Sequence, residues 1–399
     1  MKIKQTTQFV DNSISVRTVI PFERKTITSV NLLVYMMKAQ TEAFPDKQAL
    51  ALALNNAYGL RSSFRVSAYG RQIVFECRFQ YIRSQWIQSR DYLKEVITIM
   101  DQIMNHSVFN EESLQEAKYL YRTRIIQQMD DPAAYSVTQA MEIIDLPHNI
   151  RLRVQGYPED LDRITLQDME QLDALVKSLP HHVYVVGQPE PPVLQYLGSI
   201  DSDAELQADY EAVCSDRFFT KTQQRDIAQT NMTLVYQDQI TADTPLYFPM
   251  IITNAVLGAG PNSLLFEEIR EKRSYCYSVH STMIRFDGAV VIHLGTRKKY
   301  IQDVLSLVEE QIRRISEQDY EDRLLEVSKS DYIDGIITAQ DHPFSITEQM
   351  FLDELLHRQQ TLSDRIEKIR NVTKADVSTC AKHMKLLSAF YLEEETDEE

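Results

Sequence analysis

Hydrophobic and polar positions change their period several times along the chain, and each change predicts an element. β-Branched and aromatic residues dominate 14–22 and 26–37, which predicts two strands. Pro45 and Gly59 bracket a run with Pro in its first turn and Gly at its stop, the pattern of a helix. Residues 63–68 and 72–79 flank Tyr69-Gly70, a hairpin signal. Residues 275–286 and 289–295 flank Asp287-Gly288, a stronger one. Leu93, Val96, Ile97, Met100, Ile103 and Met104 recur at helical spacing, as do Val304, Leu307, Val308, Ile312 and Ile315. These stripes read as core rather than as cofactor boxes. Meandering strands with helical blocks between them predict an α+β architecture, with helices covering one face of a largely antiparallel sheet.

The pattern also repeats. Tyr92-Leu-Lys-Glu-Val-Ile-Thr-Ile-Met100 matches Tyr300-Ile-Gln-Asp-Val-Leu-Ser-Leu-Val308 at an offset of 208. Ser136-Val-Thr-Gln-Ala-Met141 matches Ser345-Ile-Thr-Glu-Gln-Met350 at 209. Ile164-Thr165-x-x-Asp168 matches Val372-Thr373-x-x-Asp376 at 208. Three matches in one order at a nearly constant offset indicate a duplicated domain, since the period is too long for a solenoid unit. Pro189-Glu190-Pro191-Pro192 should break both helix and central strand. The expected organisation is therefore a first domain at 1–188, a linker at 189–222 and a second, homologous domain at 223–392.

Composition narrows the function classes. The 399 residues carry 58 Asp and Glu against 42 Lys and Arg, a formal charge of −16. That is not the footprint of a nucleic-acid binder. Six of the acids lie in 393–399, which is expected to be a solvated, disordered end. No apolar run is long enough to span a membrane. The N-terminal residues lack an apolar signal core, and the four cysteines are widely spaced, so a reducing cytoplasm is expected. There is no Gly-x-Ser-x-Gly, and Cys276 sits inside a strand pattern, where packing explains it better than nucleophilic chemistry. The segment around Trp86 is a candidate interface loop.

One segment is specific: Leu257-Gly258-Ala-Gly-Pro-Asn-Ser263-Leu-Leu-Phe266-Glu-Glu-Ile-Arg270-Glu-Lys-Arg273-Ser-Tyr-Cys-Tyr277-Ser278. It resembles the second-domain signature of the pitrilysin/insulinase peptidases, the group that includes mitochondrial processing peptidase. Arg273 and Ser274 stand where Arg or Lys and then Gly are usual, and Tyr275 stands for Leu. Gly156-Tyr-Pro-Glu-Asp160, followed by Ile164-Thr165-x-x-Asp168, is similar to a first-domain segment of that family, and Val185-Val186-Gly187 to the strand after it. Asp130-Asp131-Pro132 resembles a further recurrent stop. The resemblance implies two related α/β domains.

Active members carry His-x-x-Glu-His and a distal Glu. The two His and the distal Glu hold zinc, and the motif Glu is the base for the bound water. Here the corresponding positions are Asn31, Val34 and Tyr35, and the distal positions are Ala117 and Arg124. The first histidine in the chain is His106, no two histidines pair at i, i+4, and His181-His182 would point to opposite faces of a strand. No metal site, catalytic residue or cofactor is expected. The resemblance instead directs attention to Arg273 and Tyr277, which in two-domain relatives face the catalytic chamber and hold the substrate backbone. Without that resemblance they read as a solvated turn cation and a packed strand residue. The implied function is a catalytically inactive, peptide-binding subunit, pairing as a dimer with a zinc-bearing homologue of similar length. Bacterial members form such pairs, some named for an association with elongation factor P modification. A purely structural scaffold subunit is the alternative, and a metalloenzyme with an unrecognised site a third reading.

Overall fold

The computed structural model describes residues 1–395. The chain divides into two compact units. The first comprises Met1–Ile126, Arg153–Asp209 and Ala339–Arg358, and the second comprises Gln127–Leu152, Tyr210–Thr338 and the chain from Gln359 onward.

In the first unit, β1 (Lys2–Gln5), β2 (Asp11–Pro21), β3 (Arg61–Tyr69), β4 (Gln72–Ile82) and β5 (His181–Gly187) form one sheet in the order β1-β5-β2-β4-β3. Only the β1–β5 pair is parallel. In the second unit, β6 (Phe219–Arg225), β7 (Thr230–Gln237), β8 (Cys276–Ile284), β9 (Ala289–Thr296) and β10 (Lys385–Glu394) run β6-β10-β7-β9-β8. Again only the edge pair, β6–β10, is parallel. The sheets share one topology, as a duplicated α+β domain requires. The third sequence match has a local cause: Thr165–Asp168 and Thr373–Asp376 are both capping boxes that start helices.

The central strands are buried on both faces, because helices cover both faces of each sheet rather than the one expected. On the first sheet, Ile14, Val16, Cys77 and Phe79 pack against Val96, Met100 and Ile103 of the helix Tyr92–Asn105. The opposite face meets the helix Pro343–Leu355, whose Phe351 lies 5.2 Å, ring to ring, from Tyr69. In the second unit the corresponding helix is Pro132–Glu142, which packs Tyr135 and Ala140 against Val235, Val291 and Phe390. These two helices are the second pair of sequence matches, and each is built into the unit formed mainly by the other half of the chain. Contact, not sequence position, decides where they belong.

Three local expectations are corrected. Residues 27–36 form a helix, not a strand. Ile27, Val30, Leu33 and Met36 are fully buried at every third position, so tertiary burial of a helical face overrides β-branched composition. The Pro segment does follow the end of β5 at Gly187, but Pro191 and Pro192 also open a helix inside the expected linker, Pro191–Ile200, where a missing N–H costs nothing, and Val193 and Leu197 enter the core. Glu393 and Glu394 belong to β10: Glu393 pairs with Lys298 at 3.0 Å, and Glu394 accepts from Thr230 Oγ1 at 2.6 Å. The rest of the acidic tail, 396–399, lies outside the described residues. Among the described residues, no helix is long and apolar enough to cross a membrane.

The motif beginning at Gly156 acts as a clasp on the helix Ile27–Met36. Gly156 has φ +70°, and a Cβ there would meet Thr28 Cα at 2.8 Å. Thr28 Oγ1 donates to Asp160 Oδ2 at 2.7 Å and accepts from Tyr157 N at 3.0 Å. Arg24 closes the clasp on Asp160. Gly156→Ala should destabilise by about 2 kcal/mol, from left-handed strain plus a backbone clash. Urea denaturation measures this, and an unchanged midpoint would contradict it.

Candidate functional site

The signature segment folds as two widened helical turns that lead into a bulged strand. The helix Tyr247–Asn254 passes into a π-helical turn, Ala255–Ala259, and a second follows at Phe266–Glu271. Lys272 N bonds to Glu267 O at 2.9 Å, the five-residue spacing of such turns, which recur at functional sites. Gly258 permits the approach to β8, where a Cβ would meet Ser281 Oγ at 2.8 Å. Ser274 N to Arg270 O and Tyr275 N to Ile269 O then reverse the chain. Ser274 carries φ +53°, which explains why Gly is usual at this position. Ser274→Gly should stabilise the protein by roughly 1 kcal/mol by removing the left-handed penalty. A higher thermal midpoint would bear this out and a lower one would contradict it.

Tyr277 is presented by a β-bulge. Cys276 pairs with Thr296 and Val279 with Leu294, so β8 carries one extra residue there. Alternation is broken, and Tyr277 and Ser278 both face outward. Bulges re-aim side chains in this way beside binding sites. Tyr277 is 80% exposed, the most exposed of the large apolar side chains among the described residues. The cation beside its ring is Arg270, whose guanidinium carbon lies 5.4 Å from the Tyr277 centroid and 4.4 Å from that of Phe266. Residue spacing did not single out Arg270. The five-residue turn that brings it beside Tyr277 is a tertiary feature.

Arg273 points back to Glu268. Its Nη1 meets Glu268 Oε2 at 2.6 Å and Glu268 O at 3.0 Å. Both bonds use Nη1, which leaves the Nη2 edge for a further acceptor. Lys272 joins the same carboxylate at 2.7 Å. Burial alone would push the Glu268 carboxyl up, but hydrogen bonds from Lys272 and Arg273 hold it below the ordinary value. A polar cavity of about 390 Å³ lies beside it, bordered by Glu268, Lys272, Arg314 and Tyr320. Cys276 is buried and its thiol is pushed up to about 11 by that burial, so it stays a neutral packing residue at physiological pH. Trp86 is 61% exposed in the short turn Ser84–Trp86.

The positions aligned with the metal motif lie in the first unit. Arg124 Nη1 donates to Tyr35 Oη at 3.3 Å, so the second-His and distal-Glu positions of the resemblance do meet in space. Asn31 Nδ2 donates to Ile27 O at 2.9 Å and Val154 O at 2.8 Å, and Tyr121 Oη donates to Gln155 O. Ala117 is buried on the same helix as Arg124. An amide, a phenol and a guanidinium do not make a zinc donor set. Among the described residues, no three His, Cys, Asp or Glu side chains gather to hold a metal.

Residues 182–331 match the model of the "Peptidase M16 inactive domain". The "Probable inactive metalloprotease YmfF" of Bacillus subtilis is 20% identical over 98% of this chain and 94% of its own length. The "Uncharacterized zinc protease YmxG" of the same organism is 21% identical over 74% of this chain and 73% of its own. A conserved protein from Enterococcus faecalis superposes with a TM-score of 0.92 at 20% identity, over 100% of this chain and 96% of that one, which shows the shared fold. The motif residues, the duplicated topology and these matches agree: over residues 182–331 the chain is similar to the inactive domain of the M16 peptidases, and over its whole length it shares their fold.

Proposed function

We propose that this chain is the non-catalytic, peptide-holding member of a peptidase pair, closing a chamber with a zinc-bearing homologue of similar length. The observation that carries the reading is Tyr277, lifted out of its sheet by a bulge beside Arg270, with Arg273 bonded to Glu268 in the preceding turn, in a chain where the resemblance aligns the metal motif with Asn31, Val34 and Tyr35. A Tyr hydroxyl and Arg donors suit an extended backbone, whose carbonyls accept hydrogen bonds. The pairing is supported by the two Bacillus subtilis relatives, one named inactive and one named a zinc protease. Four free cysteines, three of them buried, suit the cytoplasm as its setting.

The test is to mix this chain with the zinc-bearing homologue from its own organism. A heterodimer by analytical ultracentrifugation, with peptidase activity well above that of either protein alone, is the expected result. Two proteins that sediment separately and do not change each other's activity would refute the reading.

A further inference from the structure

Two histidines of the second unit are set side by side by strand register. His280 of β8 and His293 of β9 are direct partners in the antiparallel ladder. Directly opposed residues share one face of a sheet, with Cβ atoms about 4.5–5.5 Å apart. His293 is also the direct partner of Thr233 on β7, so the three residues make one row across three strands. The row is open at its outer end. His280 is exposed on the edge strand, and among the described residues its ring has no hydrogen-bond partner. His293 is the one residue of β9 that is not buried. The other strand histidines lack this arrangement, since His181 and His182 oppose Thr18 and Arg17.

The inner end of the row fixes the His293 ring. Thr233 Oγ1 lies 2.9 Å from His293 Nδ1 and 2.7 Å from Ser136 Oγ on the helix Pro132–Glu142. Thr233 and Ser136 are fully buried, so their hydroxyls bond to each other and to the ring rather than to water. With Nδ1–H donating to Thr233, the Nε2 lone pair of His293 is left for a ligand beside the His280 ring. A bond of this kind from the second ring nitrogen is what orients a metal-binding histidine. Burial pushes the His293 imidazole down to about 4, so it stays neutral at physiological pH, the form that binds metal. The charges that reach it are Asp131, the cap of the same helix, and His280. Imidazole nitrogens suit late first-row divalent ions, whereas magnesium and calcium take oxygen ligands. Two protein ligands leave the remaining positions to water or to a group from outside.

We propose that His280 and His293 form a two-histidine site for a late first-row divalent metal ion such as zinc. Both residues belong to the second unit, whereas the positions aligned with the metal motif belong to the first. The site does not depend on the peptide-holding reading.

The experiment uses the full chain without an affinity tag. Zinc chloride and nickel chloride are titrated separately by calorimetry, with magnesium chloride as the control. One zinc or one nickel should bind per chain, and magnesium should not. His280→Ala and His293→Ala should each weaken binding about 10-fold or more, since losing a ligand costs at least as much as losing an outer partner. His280 is exposed, so His280→Ala should leave the thermal midpoint of the metal-free protein unchanged. Substoichiometric copper(II), a paramagnetic probe, should broaden the His280 and His293 ring resonances before those of any other histidine. No binding of zinc or nickel would overturn the site. So would binding that both variants leave unchanged, or broadening that begins at other histidines.

Discussion

Arg17→Met should destabilise the first unit by about 3 kcal/mol at neutral pH, the scale expected when one partner of a buried ion pair is removed. The Arg17 side chain is fully buried on β2. It bonds to Glu76 at 3.0 Å, to Glu348 at 2.9 Å and to Ser15 Oγ at 3.0 Å, and it lies 4.5 Å over the Phe351 ring. It thereby ties the helix Pro343–Leu355 to a sheet made from the other half of the chain. Without it Glu76 keeps only Arg78, at 2.8 Å, and the Ser15 hydroxyl, at 2.6 Å.

The loss should depend on pH, with a definite sign. Burial raises the Glu76 carboxyl, but Arg17 and Arg78 outweigh it and hold the group below its ordinary value. A depressed carboxylate contributes stability above its unfolded pKa of roughly 4.3, and that stability disappears as pH falls through the folded value. In the variant burial wins, and Glu76 takes up its proton at a higher pH than in the wild type. A protonated Glu76 no longer needs a cation, so the gap between the two proteins should narrow on acidification. Denaturant titrations across pH 4–7 read both effects. A gap below about 1 kcal/mol that ignores pH would mean the network contributes little, as many ion pairs do.

Tyr277→Ala should lower kcat/KM of the reconstituted pair about 100-fold, equivalent to about 2.7 kcal/mol of transition-state binding. Folding should change by less than about 0.5 kcal/mol, because the side chain is mostly outside the core. Tyr277→Phe separates the hydroxyl from the ring. If the hydroxyl holds the peptide backbone, Phe behaves like Ala; if stacking with Arg270 is what matters, Phe retains most activity. Undiminished turnover by Tyr277→Ala in an intact pair would remove Tyr277 from the site and favour a scaffold subunit.

Much of the architecture was legible because it rests on local physics. Asp287-Gly288 marked the β8–β9 hairpin, and the two amphipathic stripes marked the helices Tyr92–Asn105 and Ile301–Ser316. The capping threonines at 165 and 373 exposed the duplication, since a box of Thr and Asp reads the same wherever it occurs. What was hidden depends on contacts distant in sequence. Residues 27–36 look like a strand until the packing of Ile27, Val30, Leu33 and Met36 is known. Ser136 and Ser345 mark equivalent helices, yet neither reveals that its helix joins the other half's sheet. At the candidate site, Arg273 and Tyr277 were singled out by family resemblance alone. The partnership of Tyr277 with Arg270, and of Arg273 with Glu268, follows from a π turn and a bulge that no local residue pattern announces.

The proposed role as a peptide-holding partner without chemistry of its own is tested most directly by peptidase assays of the reconstituted pair with one variant in each chain. Changing the motif Glu of the zinc-bearing partner should abolish turnover, whereas Tyr277→Ala here should reduce it about 100-fold with the pair still assembled. Turnover by this chain alone, or turnover by the pair that survives loss of the partner's motif Glu, would contradict the assignment.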